Sequence, residues 1–112
     1  MTVADWIRAR SPAPPAALTA RVVASLGDRA GDDASRAADS CLDAAIDLLE
    51  QLLANDPLDR TDASALLAAD ALVTYAFEAA ADEPDRLEDR AADAMARLAA
   101  LAGDGLGTTL ER

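Results

Sequence analysis

The chain has 112 residues and a formal net charge of −11, with 30 Ala, 16 Asp and 10 Arg but no Lys and no His. Lacking His, it has no Ser-His or Cys-His pair, no imidazole metal ligand and no imidazole pH switch; lacking Lys, it has no Schiff-base residue and no phosphate-loop lysine. The 21 acidic residues against 10 basic ones argue against binding to a nucleic-acid backbone or an anionic membrane, because both depend on cationic side chains.

In chain order, Val3, Trp6, Ile7 and Arg10 recur three and four apart, which predicts a short amphipathic helix over residues 2–10 that stops before Pro12. Ser11-Pro12-Ala13-Pro14-Pro15 reads as a stiff linker, and Pro15 suits the first turn of a second helix running to Leu26, with Leu18, Val22 and Leu26 on one face and Gly27 as its stop. Gly27 to Asp33 reads as a loop. A long helix is expected from the acidic cap at Asp33 to Ala54, before Pro57. At about 100° per residue, Leu42, Ile46, Leu49 and Leu53 form one stripe on it, and Cys41, Ala45, Leu48 and Leu52 a second. Two stripes require two neighbours, so this helix is the expected hub of the core.

Thr61 is a candidate N-cap for a helix from Asp62 to Ala81, whose inner face is read as Leu66, Ala69, Val73, Ala76, Phe77 and Ala80, widened by Leu72 and Ala79. A last helix opens at Pro84 and ends at Ala102 before Gly103, with Leu87, Ala91, Ala94, Leu98 and Leu101 in heptad spacing. Asp82 with Arg86 and Asp93 with Arg97 are opposite charges four apart, worth about 0.2–0.5 kcal/mol each. Residues 103–112 read as a loose tail.

No alternating β-branched run competes with these helices. The expected fold is all-α: a small antiparallel bundle of three long helices, with two short N-terminal helices completing a four-helix-bundle-like arrangement. It forms a single domain over 1–112, with helix and Pro-rich linker at 1–13, bundle at 15–102 and flexible tail at 103–112. An Ala-rich core buries little area per residue, and a marginal core is often completed by a second copy, so a homodimer is expected. One cysteine, Cys41, forbids an internal disulfide; with no signal-like opening, it points to a reducing cytoplasm. The residue usage fits a GC-rich bacterial genome. No run approaches the roughly 20 apolar residues of a membrane helix.

Candidate chemistry is confined to carboxylates. Asp39, Asp43, Asp47 and Glu50 share one strip of the hub helix, where they offer oxygen ligands to Mg²⁺ or Ca²⁺ or, alternatively, form a solvated acidic face met by arginines from a neighbour. Asp70 stands at the margin of the apolar face beside Phe77, a place for a general acid or base or for a carboxylate paired with an arginine. Cys41 is read as an inert buried thiol with no base beside it. Tyr75 is placed opposite Leu66, facing a partner, a packed terminus or solvent. Trp6, Ile7, Leu48, Leu52 and Tyr75 are the candidate interface residues. No catalytic residue and no cofactor is expected.

The stretch Leu67-Ala68-Ala69-Asp70-Ala71-Leu72-Val73-Thr74-Tyr75-Ala76-Phe77-Glu78 resembles one helix of the trans-isoprenyl diphosphate synthases, whose pattern runs Leu-Ala-Gly-Asp-Ala-Leu, an apolar stretch, then Ala-Phe-Glu. The match covers about a dozen residues and has Ala69 in place of Gly. In that family Asp-Asp-x-x-Asp motifs hold Mg²⁺ over a diphosphate; Asp32-Asp33-Ala34-Ser35-Arg36 supplies the first two aspartates and ends in Arg, so the motif fails. The chain is also far shorter than such an enzyme. The resemblance implies at most a degenerate relative.

Charge is distributed unevenly. Residues 1–31 hold four arginines against two aspartates, net +2, whereas residues 32–112 hold six arginines against nineteen acids, net −13. The basic part, with Trp6 and Ile7, is either an arm that docks on the acidic bundle of its own or a second chain, or simply the bundle's first column. The expected function is non-enzymatic: protein–protein contact, as a homodimer or an adaptor. The alternatives are a small-ligand or divalent-cation-binding bundle using Asp70 and the acidic strip, and an acidic mimic of nucleic acid that occupies a basic partner.

Overall fold

A computed structural model describes residues 1–54 and 60–110. Among the described residues five α-helices follow one another: α1 Val3–Arg8, α2 Ala16–Leu26, α3 Ala37–Ala54, α4 Arg60–Ala81 and α5 Leu87–Leu110. The fold is an all-α, bundle-like arrangement with no strand among the described residues. α3 is the hub: it packs most extensively on α4 and also touches α1, α2 and α5, as its two apolar stripes require, although Leu53, the last residue of the first stripe, is 61% exposed.

Local chemistry explains the helix ends. Thr2 and Asp5 form a capping box at α1: the Asp5 N–H donates to Thr2 Oγ1 (3.1 Å), and the Thr2 N–H donates to Asp5 Oδ2 (3.0 Å). These bonds hold the Asp5 carboxyl below its usual range. Gly27 ends α2 at φ +58°, a backbone conformation that only glycine adopts without strain. The expected loop after it is more ordered, forming 3₁₀ turns at Gly27–Gly31 and Ala34–Arg36. Asp33 caps the second of these turns, accepting from the Ser35 N–H (2.9 Å), so α3 starts at Ala37 rather than at Asp33. Pro84 opens another 3₁₀ turn, and α-geometry begins only at Leu87.

Three expectations are corrected. α4 starts at Arg60, which places Thr61 inside the helix rather than at its cap. α5 runs through Gly103 to Leu110, so the expected loose tail is helical as far as residue 110, and residues 111–112 lie outside the described set. Gly103 lacks the positive φ of a helix stop, and no proline follows it. The third correction concerns the orientation of α4. Ala65, Ala68, Ala69, Leu72, Tyr75, Ala76, Ala79 and Ala80 are buried, whereas Leu66 and Phe77, expected inside, are 54% and 44% exposed. The small-residue arc faces the core because alanines let α3 and α4 approach closely, and the bulkier residues turn outward.

The basic N-terminal arm docks in cis. The Val3 N–H donates to the Asp32 carbonyl (2.8 Å) and the Ala34 N–H to the Met1 carbonyl (3.0 Å), stitching the N-terminus to the segment before α3. Val3 and Ile7 are fully buried in the common core with Val22, Leu26 and Cys41. Ser40, also buried, donates from its hydroxyl to Asp32 (3.0 Å). The Asp32-Asp33 pair therefore does structural work: one residue ties down Ser40 and the other caps a turn.

Candidate functional site

The acidic strip of α3 is neutralised by arginines from elsewhere in the chain. Asp47 meets Arg29 of the Gly27–Gly31 turn at 2.9 Å, Asp43 meets Arg97 of α5 at 2.9 Å, and Asp39 lies 4.0 Å from Arg90 of α5. Glu50 is exposed at the end of the strip. Among the described residues no group of three or more potential ligands is placed to hold a metal ion. These pairs fix the register of α5 and the 3₁₀ turn against α3; being largely solvated, each contributes about 1 kcal/mol at most. Arg97 also reaches Asp93 (3.9 Å), while Arg86 turns to Glu83 (3.6 Å).

A groove between α4 and α5 is lined by Phe77, Ala80, Leu87, Ala91 and Ala94, with Arg90 and Asp93. Arg90 Nη2 lies 3.4 Å from Glu83, while its Nε and Nη1 are buried without a hydrogen-bond partner. The groove offers about 30 Å³ of space, which suits a water or two that would satisfy these atoms, not an organic ligand. A wider cleft lies between α2 and α3 at Arg21, Asp47 and Gln51, and another beneath residues 10–12 at Tyr75 and Glu78. Asp70 lines none of these clefts; it is exposed, and its carbonyl accepts from the Thr74 hydroxyl (3.0 Å).

Four of the five candidate interface residues belong to the chain's own interior, and the fifth, Trp6, is half-buried against it. Ile7 is fully buried, Leu48 and Leu52 are each 7% exposed, and Tyr75 is 9% exposed. Of the three surroundings expected for Tyr75, a partner, a packed terminus or solvent, the structure shows the packed terminus: Trp6 of α1 covers it, ring edge to ring face at 6.1 Å and 89°. The Arg10 guanidinium sits 4.3 Å over the Trp6 ring, and its Nε lies 3.3 Å from Glu78. Burial, and then the nearby Glu78, push the Tyr75 phenol above its usual range. Missing from the sequence reading was the true outer surface of α4: Leu66, Leu67 and Phe77 stand exposed, joined at the groove by Leu87. Read at 100° per residue, Leu66, Asp70, Val73 and Phe77 form one seam with spacings of four, three and four. The signal was present as a second apolar arc on the same helix.

By length and mean hydropathy (1.3), Asp62–Ala81 qualifies as a membrane-crossing segment, contrary to the expectation that no run comes close. Its Ala68, Leu72 and Tyr75 are nonetheless committed to the bundle core, as in a central helix of a globular domain.

Cys41 is fully buried on α3, and burial pushes its thiol up to about 12. Iodoacetamide at pH 8 should therefore leave it unmodified in the folded chain and label it fully in guanidinium; rapid labelling of folded protein, read by mass spectrometry, would contradict this environment. In the unfolded chain the thiol ionises near 9, so its contribution to stability is complete below that pH and is lost as pH rises toward 12. A urea midpoint that falls between pH 9 and 11 is the expected result, and the Tyr75 shift acts in the same direction.

Comparison with family models, curated proteins and solved structures finds no match for this chain.

Proposed function

We propose that this chain acts by protein–protein contact rather than by catalysis, and that the outer seam of α4 is the contact surface. The observation that carries this reading is the exposure of Leu66 and Phe77 on one face of a helix whose opposite face is fully committed to the core. Large apolar side chains aligned at heptad spacing on an exposed helix are what a second helix packs against. The competing reading, a small ligand or divalent cation at Asp39, Asp43, Asp47, Glu50 and Asp70, is less favoured because an arginine already faces the first three.

The test compares the full chain with a Leu66→Ser/Phe77→Ser double variant in three assays: self-association by light scattering, and binding of a cationic or an anionic amphipathic helical peptide by calorimetry. Leu66 is more than half exposed and Phe77 stands at the rim of the α4–α5 groove, so the variant should remain folded with a modestly lowered melting temperature, which a thermal melt checks. The wild type is expected to engage at least one of the three, and the double variant to lose that engagement by tenfold or more, about 1.4 kcal/mol. Identical behaviour of the two chains in all three assays would overturn the assignment.

A further inference from the structure

We infer that the α4 seam receives a cationic amphipathic helix of another protein, with an Arg or Lys seated against Asp70, rather than a second copy of this chain. The inference rests on the contact reading above and adds the chemistry of the partner. Asp70 interrupts an otherwise apolar seam, between Leu66 on one side and Val73 and Phe77 on the other. Any helix laid along that seam covers the carboxylate, and a covered carboxylate must be matched by a cation or it opposes the contact.

Among the described residues no arginine forms an ion pair with Asp70. α4 carries Asp62, Asp70 and Glu78, and its one basic residue, Arg60, stands ten positions before Asp70 at the start of the helix. The arginines nearest the groove are engaged elsewhere: Arg86 with Glu83, Arg90 with Glu83 and Asp39, Arg97 with Asp43. A two-fold pairing of α4 with itself that sets Leu66 against Phe77 of the second copy places Asp70 opposite Val73. The two Asp70 carboxylates then fall within one helical turn of each other. Like charges brought together in an apolar seam weigh against that dimer, and the net charge of −11 on each copy adds to the repulsion. The same two features favour a partner whose apolar stripe is flanked by basic residues.

The probes are two synthetic helical peptides of about 18 residues, one built of Leu and Lys and the other of Leu and Glu, both with Leu at the a and d positions of a heptad. Calorimetry with the full chain should give saturable one-to-one binding of the Leu/Lys peptide and none of the Leu/Glu peptide. Asp70→Lys should weaken the Leu/Lys peptide by about tenfold or more and create measurable binding of the Leu/Glu peptide, whereas Asp89→Lys, the same charge change on exposed α5, should alter affinity by less than about threefold. The charge variants change solvent-facing positions, and a thermal melt confirms that each folds. Equal effects of Asp70→Lys and Asp89→Lys, indifference to peptide charge, or binding to zwitterionic lipid vesicles in preference to peptide would each overturn the inference. Self-association that disappears in the Leu66→Ser/Phe77→Ser variant would also overturn it while leaving the contact function standing. Insensitivity of every assay to that double variant would fell both.

Discussion

A chain lacking residues 1–13 should melt at least roughly 20 °C below the full chain, with a broadened transition by far-ultraviolet circular dichroism. The size follows from what those residues bury. Val3 and Ile7 are fully buried, and burial of each such side chain is worth about 1.5–3 kcal/mol. Trp6 adds its contact with Tyr75, and removal of α1 opens the core around Val22, Leu26 and Cys41 to water. A loss of about 5 kcal/mol is large against the 5–15 kcal/mol typical of a whole domain, and at about 4 °C per kcal/mol it accounts for the expected drop. The stitching of Met1 and Val3 to Ala34 and Asp32 makes the effect intramolecular, so the full chain's melting temperature should not depend on protein concentration through this contact. An unchanged melting temperature after the truncation would overturn the docking of α1 onto the bundle.

That docking shows where sequence reasoning reached and where it stopped. The charge difference between residues 1–31 and the rest marked the N-terminal segment as one that meets an acidic surface, and Arg10 does meet Glu78. The helices themselves were legible because Pro12, Pro14, Gly27 and Pro84 punctuate them and because Leu spacing on α3 declares two packed sides. Partnering was not legible. For Tyr75, opposite Leu66 on α4, the sequence leaves a partner, a packed terminus or solvent open, and it is Trp6, from the N-terminal helix, that covers it. Likewise, the repulsive run Asp39, Asp43, Asp47 becomes intelligible only once Arg29, Arg90 and Arg97 are placed beside it. Periodicity gives the angle between residues on one helix, and tertiary packing decides which angle faces inward.

The orientation of α4 can be tested within a single helix by comparing Leu72→Ala with Leu66→Ala. The two changes remove the same atoms from positions six residues apart, and helix propensity slightly favours Ala at both, so propensity cancels from the comparison. Leu72 is fully buried, and its truncation leaves a cavity in the bundle core; such losses cost about 2–5 kcal/mol in a core that relaxes only partly. The cost should fall toward the lower half of that range, because the surrounding alanines allow the helices to settle closer. Leu66 is 54% exposed, so Leu66→Ala should change stability by less than about 0.5 kcal/mol. Urea unfolding should show a much lower midpoint at constant slope for Leu72→Ala and a near-wild-type midpoint for Leu66→Ala. The face that a bulk-weighted reading of the helix would choose, with Leu66 and Phe77 inside, requires Leu66→Ala to cost as much as Leu72→Ala. That result would return the seam to the core and remove the surface on which the proposed contact depends.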